Sequence, residues 1–121
     1  MNEADAVVSR YLAVWNETDP SARRAAIDEL WADDATYVDP MVVAEGREAI
    51  EATVAAVQGQ FPGFTFTLLG DVDAHHNLAR FRWALGPAGV EPPVVGFDVA
   101  VLTDDGRLHH VHGFLDQVPN A

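Results

Sequence analysis

Apolar residues in the first half of the chain recur with the period of an α-helix. The first segment of this kind runs from Glu3 to Glu17, with Asn2 as a candidate N-cap. A second begins at Asp19-Pro20, an N-cap followed by a first-turn proline, and is expected to end near Ala32. A third lies between Gly46 and Gly59. The apolar faces of the three predicted helices comprise Val8, Tyr11, Leu12 and Trp15, then Ile27, Leu30 and Trp31, then Ile50, Thr53, Val54 and Val57.

The second half of the chain alternates apolar and polar residues, which is the period of a β-strand. Turn signals at His75-His76-Asn77 and Asp104-Asp105-Gly106 divide it into two pairs of strands. Short extended pieces are expected at Thr36–Val38 and Val42–Ala44. Helices segregated to one face of an antiparallel sheet define the α+β class, and a strongly curved sheet could enclose a pocket against the helices. The four predicted strands contain Phe64–Leu68, Phe81–Leu85, Val94–Thr103 and Arg107–Gln117.

The amino-acid composition limits the classes of protein to which this chain can belong. A chain of 121 residues, 49% hydrophobic, predicts one domain with its own core. The absence of cysteine excludes disulfides, thiol nucleophiles and thiolate metal sites. Nineteen acidic residues against seven basic ones give a formal charge of −12, the wrong sign for binding nucleic acid. No apolar stretch approaches the roughly 20 residues of a membrane span, so we expect a soluble, cytoplasmic protein with no membrane partner.

Asp98 is the most informative single residue. It lies inside the predicted strand Val94–Thr103, where both alternating faces are almost wholly apolar. A carboxylate buried there must be paired or protonated, because desolvation disfavours its charged form. Either Asp98 pairs with an arginine or caps a neighbouring element, or it is a neutral hydrogen-bond donor in a functional site. The second reading predicts that Asp98 is protonated at pH 7.

Asp39 and Tyr11 each have a structural and a functional explanation. Asp39 precedes Pro40 in a short extended piece, where an aspartate commonly forms a turn, although loops at a pocket mouth also carry catalytic groups. Tyr11 lies on the apolar stripe of the first helix, where a buried hydroxyl usually has one hydrogen-bond partner. Taken alone, both residues favour the structural explanation.

The histidines near the C-terminus give a weak metal signal. His110 and His112 would share one strand face and His109 the other, and no third ligand stands at a characteristic spacing. We therefore expect no metal site. Motifs for phosphate loops, dinucleotides and serine nucleophiles are absent, so no cofactor is expected.

Several runs of the sequence together resemble the nuclear transport factor 2-like superfamily, and within it the SnoaL-like and ketosteroid isomerase-like branch. The resemblance extends over nearly the whole chain. It implies a cone-shaped α+β fold, with a curved antiparallel sheet wrapped around three helices, an apolar pocket open at one end, and a homodimer. The runs that carry it are Val7–Leu12, Leu30–Pro40, Gly46–Ile50, Gly96–Val99 and Asp105–Leu108.

The resemblance also implies roles for individual residues. Tyr11 falls at the position of the oxyanion-hole tyrosine of the isomerases, Asp39 at that of the general base, and Asp98 at that of the aspartic acid kept neutral by an apolar site. Val54 replaces a tyrosine that supports the oxyanion-hole tyrosine, and Tyr37 or Trp15 is expected to take its place. The expected substrate pocket comprises Trp15, Tyr37, Val54, Phe81, Trp83, Ala100, His109, Val111 and Gly113.

These roles predict cofactor-free proton transfer on a small apolar carbonyl compound such as a steroid or polyketide, by isomerisation or cyclisation through an enolate. One alternative is epoxide hydrolysis by an Asp-Arg-Asp arrangement, which requires Arg80 or Arg82 beside Asp98. Another is a non-catalytic module that holds a small ligand or a protein partner. We also expect a homodimer through the outer face of the sheet, where the last strand would expose Leu108, His110, His112 and Phe114.

Overall fold

The computed structural model describes residues 3–119, so the candidate N-cap Asn2 lies outside the described residues. Within that range the chain forms three helices and six strands. The predicted α+β class, with helices against a curved and open sheet, is confirmed. In chain order the elements are α1 (Glu3–Asn16), α2 (Pro20–Leu30), β1 (Trp31–Asp39), β2 (Val42–Glu45), α3 (Arg47–Gln60), β3 (Thr65–His75), β4 (Leu78–Gly86), β5 (Val94–Leu102) and β6 (Leu108–Gln117).

The sheet has the strand order β2-β1-β6-β5-β4-β3. The last four strands pair antiparallel in sequence order, as their turn signals predict. The two short extended pieces predicted in the first half are longer than expected and belong to the sheet as β1 and β2. Strand β1 runs parallel to β6, a pairing between segments far apart in sequence that no local pattern indicates.

Helix α2 is shorter than predicted. It ends at Leu30, and Trp31 already has extended backbone angles. The carbonyl oxygen of Trp31 accepts hydrogen bonds from Arg47 Nε and Nη2, at 2.9 and 2.6 Å. Arg47, 16 positions later in the chain, therefore supplies the hydrogen bonds to this carbonyl. The indole of Trp31 is fully buried in the core. The expectation that the helix continues to Ala32 is wrong because its apolar stripe passes directly into a strand.

A β-bulge reverses the alternation at the start of β6. Leu108 pairs with Leu102, whereas the next registered pair is His110 with Val101, so His109 is an extra residue. Leu108 consequently points into the core with Val111. Leu108 does not lie on the outer face of the sheet as predicted, while His112 and Phe114 are exposed there.

The helices cover the inner face of the sheet and build the core with it. Asn16, the last residue of α1, fastens this helix to strand β3: its side chain donates to the Phe66 carbonyl at 3.0 Å and accepts from the Phe66 N–H at 2.7 Å. These two bonds fix the C-terminal end of the helix that carries Tyr11. None of the described helices is long and apolar enough to cross a membrane.

Candidate active site

A cavity of about 810 Å³ lies between the inner face of the sheet, helix α1 and helix α3. Its wall is mainly aliphatic and aromatic, and few ionisable side chains reach it. Tyr11, Tyr37, Asp39 and Asp98 are those groups. An apolar cavity with a few convergent polar groups is the usual form of a small-molecule site.

Asp98 lies in β5 with only 2% of its surface exposed. Its partner is Tyr11, whose hydroxyl donates to Asp98 Oδ2 at 2.6 Å. Helix α1 supplies the tyrosine, which packs edge-on against Phe81. No arginine contacts Asp98 among the described ion pairs, so the structural explanation of a buried Arg pair is wrong.

Burial raises the pKa of Asp98 from 3.8 to about 6. The Tyr11 hydroxyl and the nearby Trp83 indole oppose this shift, whereas the negative charge of Asp39 adds to it. The direction agrees with the sequence-based expectation, but a pKa of about 6 leaves the carboxyl group mainly ionised at pH 7 in the absence of substrate. Burial and the negative charge of Asp98 also raise the pKa of Tyr11, so its hydroxyl keeps its proton.

Asp39 ends strand β1 and is held by three hydrogen bonds. Its Oδ1 accepts from the backbone N–H groups of Met41 and Val42 at 2.8 and 3.0 Å, which closes the turn after Pro40. Its Oδ2 accepts from the Tyr37 hydroxyl at 2.7 Å. Burial and the charges of Asp98 and Asp39 raise the pKa of Tyr37. Tyr37 therefore stays protonated and orients the Asp39 carboxylate.

Gly113 lies where the two carboxyl groups approach each other. A Cβ atom on this residue would lie 2.8 Å from Asp98 Oδ1, 3.4 Å from Asp39 Cβ and 3.5 Å from the Tyr37 hydroxyl. The backbone of Gly113 is not in the left-handed region, so its conformation does not require glycine. The limited space beside Gly113 does require glycine, because any side chain there would collide with Asp98.

Four buried side-chain polar atoms make no hydrogen bond of good geometry among the described residues, and three of them belong to residues that line the cavity. They are Asp98 Oδ1 and the indole nitrogens of Trp15, Trp31 and Trp83. Natural cores leave few such atoms, and those that remain cluster at functional sites. The Trp15 indole lies near the Tyr11 hydroxyl and opposes a small part of the rise in its pKa.

Four of the nine expected pocket residues line the cavity: Trp15, Tyr37, Trp83 and Gly113. Four others are buried in the core behind its wall: Val54, Phe81, Ala100 and Val111. His109 lies outside the cavity, because the bulge in β6 directs it toward Asp34, with 3.3 Å between His109 Nε2 and Asp34 Oδ2. The three proposed catalytic residues, Tyr11, Asp39 and Asp98, all border the cavity.

The sequence analysis missed the contribution of α3. One face of this helix lines the cavity with small side chains, and the residues on it recur at helical spacing, so the signal was present. This face of α3 is not predicted as part of the pocket because alanine indicates an apolar face only weakly. The residues are Ala49, Ala52, Thr53, Ala56, Val57 and Gln60.

The histidines and arginines lie away from the cavity. No group of three potential ligands close enough to hold a metal ion occurs among residues 3–119. Arg80 pairs with Asp73 at 3.1 Å and Arg82 with Asp116 at 3.7 Å, and both arginines are exposed. The epoxide-hydrolase alternative required one of them beside Asp98, so that alternative is wrong.

Comparison with known proteins identifies the family to which this chain is similar. Residues 8–111 match the SnoaL-like domain. A candidate isomerase of the SnoaL-like family from Agrobacterium tumefaciens has a similar structure, with 39% identity, coverage of 96% of this chain and 99% of its own, and a TM-score of 0.91. A candidate SnoaL-like polyketide cyclase from a Jannaschia species is 20% identical, with 94% and 85% of the two chains covered and a TM-score of 0.76.

A similar fold also occurs in a designed protein. A de novo designed protein with a curved β-sheet is 13% identical and covers 96% of this chain and 88% of its own, with a TM-score of 0.72, a likeness of fold alone. Comparison with curated proteins gives no significant match. Because the domain match spans most of the sequence and one relative is 39% identical over almost the full length, this chain belongs to the SnoaL-like domain family.

Proposed function

We propose that this protein catalyses cofactor-free proton transfer on a small apolar carbonyl compound, by isomerisation or cyclisation through an enolate. The observation that carries the proposal is the convergence of Asp39 and Asp98 on one apolar cavity, where the bare backbone of Gly113 lies against both residues. Two carboxyl groups in different environments are the usual means of separating an acid role from a base role. The relatives described as a candidate isomerase and a candidate cyclase agree with this chemistry.

Asp39 is the base in this mechanism. It is less buried than Asp98, faces the cavity, and is oriented by Tyr37. It takes a proton from the carbon next to the substrate carbonyl, and in isomerisation it returns the proton to a conjugated carbon. In cyclisation the enolate carbon bonds to a second carbonyl carbon of the same substrate, whose π bond breaks, and the alkoxide oxygen so formed takes the proton, so no other reactant is consumed. Asp98 in its protonated form donates to the developing oxyanion.

Tyr11 acts through Asp98. Its hydroxyl proton is directed at Asp98 Oδ2, which leaves Oδ1 as the atom that faces the space above Gly113. If Oδ1 carries the proton, the carboxyl group can donate to a substrate oxygen while Tyr11 holds its other oxygen. Because Oδ1 is buried, this contact requires a shift of the neighbouring side chains. This arrangement assigns the direct contact to Asp98 and a supporting role to Tyr11.

The test is hydrogen–deuterium exchange next to the carbonyl in a panel of cyclic ketones and enones, followed by proton NMR in D2O. We expect exchange above the buffer rate with the wild-type protein and a loss of about 100-fold or more in Asp39→Asn, since general base catalysis typically contributes that much. Asp73→Asn is the control, because Asp73 is an exposed aspartate away from the cavity. Exchange unchanged in Asp39→Asn would show that Asp39 is not the base.

A non-catalytic binding module is a second candidate, and one observation favours it. The Asp39 carboxylate accepts three hydrogen bonds, two of which close the turn around Pro40, and this structural role requires no catalysis. A module of this kind would bind ketones in the cavity without exchanging their protons. Saturation-transfer NMR of the same panel separates the two functions, because it detects binding irrespective of turnover.

A further inference from the structure

We propose that the cavity binds apolar amines in their protonated form, with the ammonium group against the Asp39 carboxylate and the apolar body along a wall of aromatic rings. The inference goes beyond the proposed function, because it concerns the charge that the cavity accepts and holds whether or not a bound compound is turned over. The aromatic wall comprises Tyr37, Trp15, Phe66 and Trp83, all of which line the cavity.

The cavity contains carboxyl groups but no basic side chain. Among residues 3–119 no arginine or histidine borders it, and the chain contains no lysine. The two arginines that contact or belong to α3 are already engaged, Arg23 with Glu51 and Arg47 with the Trp31 carbonyl. An anionic ligand would therefore meet negative charge without a counter-ion, in a chain whose formal charge is −12. A charged ligand is favoured only if its charge is positive.

Asp39 is the carboxyl group that a ligand can contact. It is half-buried and lines the cavity. Its Oδ1 accepts from the N–H groups of Met41 and Val42, and its Oδ2 accepts from the Tyr37 hydroxyl alone. Because each carboxylate oxygen can accept about two hydrogen bonds, Oδ2 retains the capacity for one more donor. An ammonium group supplies that donor, and hydrogen bonds between two charged groups are stronger than those between neutral groups.

Asp98 acts on the ligand through its charge and not through contact. The Tyr11 hydroxyl covers Oδ2, and Oδ1 is buried. The two carboxyl groups are close enough to interact, since the negative charge of Asp39 contributes to the raised pKa of Asp98. A cation placed at Asp39 is therefore attracted by both groups whenever Asp98 is ionised.

The aromatic wall begins at Asp39 and continues along the cavity. The ring of Tyr37, whose hydroxyl binds Asp39, has its centroid 5.4 Å from that of Trp15. The Trp15 centroid lies 5.3 Å from Phe66, and Phe66 lies 5.3 Å from Trp83. Aromatic rings bury apolar groups and also attract cations, most strongly where water is excluded. A neutral ligand gains only the burial, whereas a protonated amine gains both.

The first test compares three biphenyl compounds of nearly equal size and different charge: biphenylmethylamine, biphenylmethanol and biphenyl carboxylate. Isothermal titration calorimetry with the wild-type protein at pH 7.5 gives their dissociation constants. We expect the amine to bind about tenfold more tightly than the alcohol, and the carboxylate to bind at least about tenfold more weakly than the alcohol. An amine that does not bind, or binds no more tightly than the alcohol, would overturn the proposal.

The second test locates the ammonium group with Asp39→Asn. This variant keeps an oxygen for the N–H groups of Met41 and Val42 and removes the charge. We expect about tenfold weaker binding of the amine, with binding of the alcohol within about twofold of wild type. Unchanged binding of the amine would show that its ammonium group does not lie at Asp39 and would contradict the proposal.

Asp34→Asn is the matched control. Asp34 lies on the same strand as Asp39, but its side chain is 74% exposed and does not line the cavity. We expect both the amine and the alcohol to bind within about twofold of wild type. An equal loss of amine binding in Asp34→Asn and Asp39→Asn would show attraction to the overall negative charge of the chain and would also contradict the proposal.

The outcomes separate this inference from the proposed function. A preference for the amine that depends on Asp39, without proton exchange in the ketones, would uphold the cation site and overturn the catalytic function. Proton exchange that depends on Asp39, without a preference for the amine, would uphold the function and overturn the cation site. The two experiments use different compounds and different measurements, so neither result decides the other.

Discussion

Asp98 shows how the partner of a buried carboxyl group decides its chemistry. An arginine would hold the group ionised, whereas Tyr11 donates one hydrogen bond that only partly offsets the penalty of burial. The pKa is therefore raised to about 6. Because the group binds its proton more tightly in the folded protein than in the unfolded chain, it destabilises the fold at every pH where it must ionise.

This linkage gives a stability prediction for Asp98→Asn. As the pH rises from 4 to 6 the unfolded chain loses this proton before the folded protein does, so wild-type stability falls; above about pH 6 the deficit is constant. A rise in pKa from 3.8 to about 6 corresponds to about 3 kcal/mol. We expect Asp98→Asn to be more stable than wild type by about this amount at pH 8, and by much less at pH 4.

Urea unfolding of both proteins at several pH values measures this difference. Asp34→Asn, at an exposed aspartate, controls for the loss of one negative charge from a chain of net charge −12. If Asp98→Asn were less stable than wild type at pH 8, the ionised Asp98 carboxylate would be favourably paired in the folded protein and its pKa would not be raised. That outcome would also remove its role as a donor.

At the scale of elements, one buried arginine joins two helices. Arg23 of α2 donates to Glu51 of α3 through Nε at 2.6 Å and through Nη2 at 3.1 Å. Its Nη1 donates to Gln58 of α3 at 2.7 Å and to the Glu17 carbonyl at 3.1 Å. The side chains of Arg23 and Glu51 are 5% and 21% exposed, so water screens the pair poorly. The arrangement positions α3, whose opposite face lines the cavity.

We expect Arg23→Met to lower the free energy of unfolding by about 3 kcal/mol, because it leaves a largely buried carboxylate without its partner. Arg24→Met is the control: Arg24 is the next residue, and its pair with Asp28 is about half exposed, so we expect no measurable change. Chemical denaturation of the three proteins at pH 7 gives both differences. A loss of similar size in Arg24→Met would indicate a general effect of net charge and not a specific link between helices.

At the scale of the whole molecule, the outer face of the sheet differs from the rest of the surface. The chain carries a formal charge of −12, yet on this face Arg80 and Arg82 neutralise their acidic neighbours. Phe97 and Phe114 stack there with their ring centroids 4.9 Å apart, and Phe114 is 51% exposed. A second copy of the chain approaching on this face avoids the repulsion expected elsewhere and covers the exposed aromatic surface.

We therefore expect a homodimer that pairs through the outer face, although Leu108 takes no part in it. Sedimentation at micromolar concentration should give twice the mass of the chain, and Phe114→Glu should give a monomer because it places like charges opposite each other. Val90→Glu is the control, since Val90 is 58% exposed but lies in the loop between β4 and β5. A wild-type monomer, or a dimer unaffected by Phe114→Glu, would contradict the prediction.

The elements that depend on local periodicity could be predicted from the amino-acid sequence. Apolar residues at helical spacing located α1 and α3, and alternation located the last four strands, because these patterns reflect which face of each element is buried. It also predicted that Asp98 is buried, since both faces of its strand are apolar. Tyr11 and Asp39 are predicted as site residues only by the resemblance to the family. Their local sequence favours ordinary structural roles.

Features that depend on contacts between distant residues could not be predicted in this way and are visible only in the folded chain. Arg47 donates to the Trp31 carbonyl at the junction of α2 and β1, and the bulge at His109 turns Leu108 into the core. The direction of the Tyr11 proton, and the space that Gly113 leaves beside Asp98, are likewise set across the sheet and the helix packed on it. Local periodicity records which face of a segment is buried, whereas hydrogen-bond partners and empty space are properties of segments that meet only in the folded chain.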